Sequence, residues 1–217
     1  MTSALEVIRR EKIVAAVRLE SDAHIQDVVD SLYKGGVKVI EIAMNTPNAL
    51  QHVDRIKQQY PDASIGVGTV LDEATARSAI AAGASFLLSP ALNKGAIQMA
   101  NRYNIPFIPG VLTLTEIMTA YECGAKVVKV FPIDALGPNY VKNIAAPLPH
   151  VEIIPMGGIS QDNARQYLEA GSYALGIGSS LVNGRLVHER NFAEIERRAR
   201  RFVEVVEQYI RESSDEH

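Results

Sequence analysis

Eight short apolar runs, separated by longer amphipathic stretches, constrain this chain more than any other feature. They are IVAAVRL from Ile13, KVIEIAM from Lys38, SIGVGTV from Ser64, FLLSP from Phe86, PFIPGV from Pro106, VVKVFP from Val127, EIIPMGG from Glu152 and YALGIGSS from Tyr173. Most are near-continuous Val, Ile and Leu rather than polar/apolar alternations. Strands of that kind are buried on both faces, as in a parallel sheet flanked by helices. A weak repeat supports the pattern. KGGVKVIEI, AAGASFLLS, ECGAKVVKV and EAGSYALGI each place a glycine just before the second, fourth, sixth or eighth run. Gly36, Gly83, Gly124 and Gly171 fit the position after a helix C-cap, where a positive φ is needed. The chain thus divides into four βαβα quarters of roughly 40–50 residues, a period that signals repeat architecture. The expected fold is α/β, a closed (β/α)8 barrel ending in an amphipathic helix. A doubly wound sheet should carry a glycine-rich turn after the first strand, and Arg18-Leu19-Glu20-Ser21 is not one.

Helix signals lie between the runs. Asp22 precedes Ile25, Val28, Val29 and Leu32, which share one helical face. Thr46-Pro47 predicts an N-cap with proline in the first turn, and Thr115-Glu116 and Ser160-Gln161-Asp162 predict similar starts. Near the end Phe192, Ile195, Ala199, Phe202, Val206 and Tyr209 recur at helical spacing. That leaves Arg197, Arg198, Arg200 and Arg201 as a solvated face. At 217 residues the chain fits a single barrel domain over 1–217, since domains run at roughly 100–200 residues. A formal charge of −3 argues against nucleic-acid binding. The single cysteine, Cys123, excludes an intrachain disulfide framework and a cysteine-cluster zinc site. Ile13 to Val17 is too short for a signal h-region or a membrane span. A cytoplasmic protein with no membrane partner is expected.

Barrel chemistry sits at the C-terminal ends of the strands, so polar residues inside or just after the runs are the candidates. Arg18, Glu41, Thr69 and Lys129 stand within them. Lys129 is flanked by Val127, Val128, Val130 and Phe131, and strand alternation turns Lys126 to the opposite face. Desolvation lowers the pKa of an interior lysine and leaves a nucleophilic amine able to form Schiff bases. Glu41, between Ile40 and Ile42, is as hard to place on a surface. A carboxyl group there suits proton transfer during imine formation and carbon–carbon cleavage. A buried Glu41–Lys129 ion pair without chemistry is the structural reading of the same residues. Gly157-Gly158 and Gly178-Ser179-Ser180 close the seventh and eighth runs, where barrel enzymes bind phosphate through main-chain N–H groups. Tight turns without a ligand would give the same glycines. None of the five histidines lies in an apolar run or forms a metal-binding spacing, so no metal is expected.

The ordered set KIVAAVR, GGVKVIEIAMNTPNA, IGVGTV, FLLSPALN, IPFIPGVLTLTE, KVVKVFP, PMGGIS and GIGSSLV resembles the class I aldolases for 2-keto-3-deoxy-6-phosphogluconate (KDPG) and 4-hydroxy-2-oxoglutarate (KHG). The resemblance runs from about Lys12 to Gly184. It implies a homotrimeric barrel that cleaves a phosphorylated 2-keto acid to pyruvate and an aldehyde such as glyceraldehyde 3-phosphate, with no cofactor. It makes Lys129 the Schiff-base lysine and Glu41 the general acid/base. Thr69, Pro90 and Phe131 line the pyruvyl site. Gly157, Gly158, Gly178, Ser179 and Ser180 fall in the phosphate loops, and Arg18 matches an arginine used for substrate anions. Two positions depart from the family pattern. Asn45 stands where many members have a carboxylate-gripping arginine, and Met156 replaces a threonine that would touch substrate. Two other readings fit part of this sequence. One is a different phosphate-binding barrel enzyme, of the phosphoribosyl isomerase or thiamin-phosphate-synthase type. The other is a catalytically silent binding barrel.

Overall fold

Strand and helix alternate from the first apolar run to the last in the computed structural model, which describes residues 3–215. In chain order the elements are α1 (Ala4–Glu11), β1 (Ile13–Val17), α2 (Ile25–Lys34), β2 (Val39–Ala43), α3 (Ala49–Gln59), β3 (Ser64–Gly68) and α4 (Glu73–Ala81). Then follow β4 (Leu87–Leu88), α5 (Lys94–Arg102), β5 (Phe107–Ile108), β6 (Gly110–Val111), α6 (Leu114–Glu122), β7 (Val127–Val130) and α7 (Pro138–Ala145). The last are β8 (Glu152–Pro155), α8 (Gln161–Glu169), β9 (Leu175–Ile177), α9 (Gly184–His188) and α10 (Phe192–Asp215). The strand pairings are parallel.

The eight expected runs become nine strands because the fifth, PFIPGV, breaks at Pro109. Proline has no N–H to donate to a ladder, although its carbonyl still accepts from Lys129 N at 2.8 Å. The hydrogen-bonded strands form a six-stranded sheet, β5-β4-β3-β2-β1-β9, and a three-stranded sheet, β6-β7-β8. One parallel bridge, Met156 to Gly176, spans the other seam. The described strands are therefore an α/β arrangement of two parallel sheets rather than one uninterrupted ladder.

Both strand faces are buried, as the near-continuous apolar runs require. One face, with Ile13, Ala15, Val17, Ile40, Ile42, Ile65 and Val67, packs against the helices. The other face forms an inner cluster of Val14, Val39, Phe86, Leu88, Ile108, Val127, Ile154 and Ala174. Helix α1 closes this cluster at the N-terminal ends of the strands. Its Ile8 is fully buried there, with Leu5 and Val7 alongside, and Tyr173 Oη donates to Leu5 O at 2.6 Å. A capping box between Ser3 and Glu6 starts α1.

The quarter repeat is visible in the backbone. Gly36, Gly83, Gly124 and Gly171 have φ of 94°, 88°, 99° and 94°. Each is followed by an N–H that reaches back across the helix end, as from Val37 to Leu32 O at 3.0 Å and from Ala84 to Ala79 O at 3.1 Å. This is the Schellman closure that glycine permits.

Three local expectations are corrected. Thr46-Pro47 does not begin a helix, because the Thr46 hydroxyl accepts from Leu19 N at 3.1 Å and α3 starts after Asn48, which has φ 54°. The α6 cap is Thr113 rather than Thr115, since Thr113 and Glu116 exchange the capping-box bonds. In α10 Ile195, Ala199, Phe202 and Val206 are buried as expected, but Arg198 leaves the solvated arginine face. Its side chain is 22% exposed, and its guanidinium donates to Ser180 O at 3.2 Å. Among the described residues, no helix is long and apolar enough to cross a membrane.

Ile8→Ala should leave a cavity under the inner cluster and cost about 2–5 kcal/mol, the usual range for a large-to-Ala truncation in a core. Urea denaturation checks this; a midpoint equal to that of wild type would mean that α1 does not seal the strands.

Candidate active site

The inner face changes character along the strands. Large apolar residues fill the end next to α1, and small or polar residues take their place toward the C-terminal ends. The register sets Ala16 beside Glu41, and Glu41 beside Gly66. On the other sheet it sets Gly110 beside Lys129, and Lys129 beside Ile154. A cavity of about 400 Å³ opens here, lined by Arg18, Glu41, Pro90, Lys129, Phe131, Gly157, Gly158, Gly178, Ser179 and Ser180, with Met156, Ile159 and Asn183 among the others.

Glycines make the room. A Cβ on Gly68 would lie 1.4 Å from Glu41 Oε1, and one on Gly110 would lie 2.1 Å from the Pro90 carbonyl carbon. Glu41 is 3% exposed, and its Oε2 is buried without a hydrogen-bond partner among the described residues. Burial pushes the Glu41 carboxyl above the usual carboxylate range, while the charges of Lys129 and Arg18 pull it back. Lys129 is 5% exposed. Burial lowers its amine below the ordinary lysine value; Glu41 opposes that shift and Arg18 adds to it. Its Nζ lies 4.6 Å from the centroid of the Phe131 ring. Lys126, three residues earlier, is exposed.

Two expected site residues stand apart from the cavity lining. Thr69 is half-buried with φ 58°, so the chain turns away after β3. Asn45 is exposed in the turn that follows β2. Several lining residues carry no sequence signal of their own. Ala16, Ala43 and Gly176 read as ordinary strand residues, and Asn183 reads as a helix cap. Only their inner-face parity, counted from Lys129 or Glu41 through the register, would have placed the strand residues there. Thr46 was also missed as part of the surroundings. Its bond to Leu19 N fixes the chain just past Arg18, and Asp22 adds a second tie by accepting from Asn48 at 2.8 Å and contacting His52 Nε2 at 3.2 Å.

The far wall suits an anion. The main-chain N–H groups of Gly158, Ile159, Ser179 and Ser180 have no partner among the described residues. Gly157 and Gly158 have φ of 106° and 68°, and Gly158 leaves no space for a side chain because a Cβ would lie 2.6 Å from Asp134 Cβ. Among the described residues, no group of three or more His, Cys, Asp or Glu side chains is placed to hold a metal.

A desolvated amine that shares a cavity with a protonatable carboxyl and with unpartnered main-chain N–H groups suits an α/β protein to imine chemistry on anionic carbonyl compounds. The model of the KDPG and KHG aldolase family matches residues 5–198. A 2-dehydro-3-deoxy-phosphogluconate aldolase of Pseudomonas aeruginosa is 31% identical over 94% of this chain and 93% of its own. A KHG/KDPG aldolase of Escherichia coli is 33% identical over 94% of this chain and 96% of its own. Among solved structures, a KDPG aldolase from Legionella pneumophila, with pyruvate captured as a covalent carbinolamine, superposes with a TM-score of 0.82 at 27% identity, covering 92% of this chain and 97% of that one. The chain belongs to the KDPG/KHG aldolase family and, with it, to the lyases.

The raised Glu41 pKa sets a linkage with a definite sign. The folded state holds a proton that the unfolded state releases at lower pH, so Glu41 costs stability as pH rises above the ordinary glutamate value. Glu41→Gln keeps the shape and removes that cost. It should be at least as stable as wild type at pH 8, with the advantage shrinking toward pH 4. Urea midpoints at the two pH values test it, and a variant less stable than wild type at pH 8 would mean that the carboxylate is structurally paired.

Proposed function

We propose that this chain is a class I aldolase that cleaves KDPG, or a related 2-keto-4-hydroxy acid, to pyruvate and an aldehyde such as glyceraldehyde 3-phosphate. The single observation that carries the reading is Lys129, an amine of lowered basicity that shares a cavity with the buried carboxyl of Glu41. Lys129 Nζ adds to the C2 carbonyl of the keto acid, and the carbinolamine loses water to give an iminium. Glu41 takes the proton from the C4 hydroxyl. The C3–C4 bond then breaks, with its electrons drawn to the iminium nitrogen, which becomes an enamine. The aldehyde leaves, C3 is protonated, and water releases pyruvate and the free amine. A carboxyl with a raised pKa suits both directions of this proton traffic. The imine supplies the electron sink, so the mechanism calls on neither a metal nor an organic cofactor.

Pro90 and Phe131 wall the pyruvyl end on this reading, and Thr69 supports the same region from outside the lining. The loops carrying Gly157, Gly158, Gly178, Ser179 and Ser180 take the phosphate. Arg18 takes the substrate carboxylate in place of an arginine at Asn45. A guanidinium does this well because its pairing with a carboxylate is charge-assisted and often bidentate. The Arg18 side chain forms no hydrogen bond or ion pair among the described residues, so it is available for the task. Met156 faces the substrate with an apolar surface where a hydroxyl would read the sugar's own hydroxyl groups.

The two sheets meet at Pro109 and at the Met156–Gly176 bridge, which supports reading them as one closed (β/α)8 barrel and residues 1–217 as one domain. A homotrimer in the cytoplasm goes with the same reading. Leu71, Leu114 and Leu136, each exposed beyond a strand's C-terminal end, offer apolar surface for subunit contact.

Lys129→Ala should abolish turnover and borohydride trapping of pyruvate, whereas Lys126→Ala should keep both. Intact mass and a peptide map decide, and trapping on Lys126 would sink the assignment. Glu41→Gln should lower turnover by about 10²-fold or more, the scale of general acid/base catalysis. Separately, Arg18→Ala should raise KM for KDPG at least about tenfold, as expected on losing a charge-assisted pair, while Asn45→Ala changes it little. Equal effects of the two would return the carboxylate to Asn45.

A further inference from the structure

We propose that Arg198 is a positioning residue for the phosphate end of the cavity, acting through Ser180, and that the Ser180 hydroxyl is a strut rather than a phosphate ligand. The inference rests on the reading that the loops after β8 and β9 take the substrate phosphate.

A serine hydroxyl carries one proton. That of Ser180 donates to Ile159 O at 2.6 Å. A phosphate dianion is purely an acceptor, so it gains nothing from a hydroxyl whose proton is already committed. What the bond does is join the loop after β9 to the loop after β8. Ser179 differs: its side chain is exposed and its hydroxyl has no partner among the described residues, so its proton is free for an anion.

The Ser180 carbonyl points at a second tie. Arg198 Nη1 donates to it at 3.2 Å, and Leu181 N donates to Gly178 O at 2.9 Å. The peptide between Ser180 and Leu181 is therefore held at both its oxygen and its nitrogen. The unpartnered N–H groups of Ser179 and Ser180 lie in the turn so fixed. Arg198 itself is held by Glu194 Oε1 at 2.9 Å, and Glu194 also pairs with Arg197. The guanidinium does not line the cavity and reaches the loop through one bond to a main-chain carbonyl, so it acts on the loop through geometry. The planar fork of arginine lets one side chain bond the helix carboxylate and the loop carbonyl together. A half-buried arginine in the second turn of α10 thus supports a cavity that it does not line.

The test uses full-length protein with KDPG and with its unphosphorylated counterpart, 2-keto-3-deoxygluconate. Arg198→Ala should raise KM for KDPG about tenfold, the scale of one lost hydrogen bond to a charged group, with kcat within twofold. kcat/KM for the unphosphorylated substrate should stay within twofold of wild type. Ser180→Ala should raise KM for KDPG in the same way. The double variant should lose less than the product of the two single losses, because both act on one turn. Arg198→Lys, which keeps one donor, should recover part of the KM. Equal losses on both substrates, or independent effects in the double variant, would overturn the positioning role while leaving the phosphate reading intact. A wild type indifferent to the phosphate group would overturn the phosphate reading first, and the positioning role with it.

Discussion

A carboxyl oxygen buried without a hydrogen-bond partner is costly, and among the described residues Glu41 Oε2 is one. Leaving a buried polar group unmade costs about 1–3 kcal/mol, and more when it is charged. Burial pushes the carboxyl above the ordinary glutamate range, and the nearby charges of Lys129 and Arg18 oppose that shift. Everything around the carboxyl follows from this arrangement. Gly68 is needed because a methyl group would occupy the place of Oε1. The strands on either side bury both faces, and the same burial lowers the Lys129 amine below its ordinary value. The other end of the strands is filled by Ile8 and its neighbours, which supply apolar packing where no chemistry is done.

The same interior therefore has two ends with opposite tasks. Close packing at the α1 end gives the strands their stability. Glycine and alanine at the C-terminal end leave a cavity whose walls differ in chemistry. Lys129 and Glu41 line one part of it, while N–H groups without a partner among the described residues line the part proposed for phosphate. Arg18 sits at the exposed mouth. The ties that hold these walls come from residues outside the lining: Thr46, bonded just past Arg18, and Arg198, bonded to the carbonyl of Ser180. Placement depends on them even though they touch nothing that reacts.

Strand identity, strand parity and the two charged residues inside apolar runs were legible because they are local. A lysine flanked by Val127, Val128, Val130 and Phe131 has no exposed face available in any strand. The four repeat glycines were legible for the same reason, since the end of a helix calls for a positive φ whatever lies beyond it. The cap at Thr46 was misread because its hydroxyl is taken by Leu19 N, 27 residues away in sequence. The break at Pro109 follows from proline chemistry, but its effect on the ladder depends on which strands stand on either side.

What the sequence alone determined is the list of parts: parallel α/β order, inner and outer faces, a buried amine and a buried carboxyl. Those follow from periodicity and from the energetic cost of burying charge. Tertiary structure decided which parts meet. It set Glu41 and Lys129, far apart in the chain, in one cavity, and left Asn45 and Thr69 out of its lining. It also turned Arg198 from a surface charge into a support for Ser180. Register and helix packing govern those distances, and neither can be counted along a single chain, because both arise only when separate strands and helices are brought side by side.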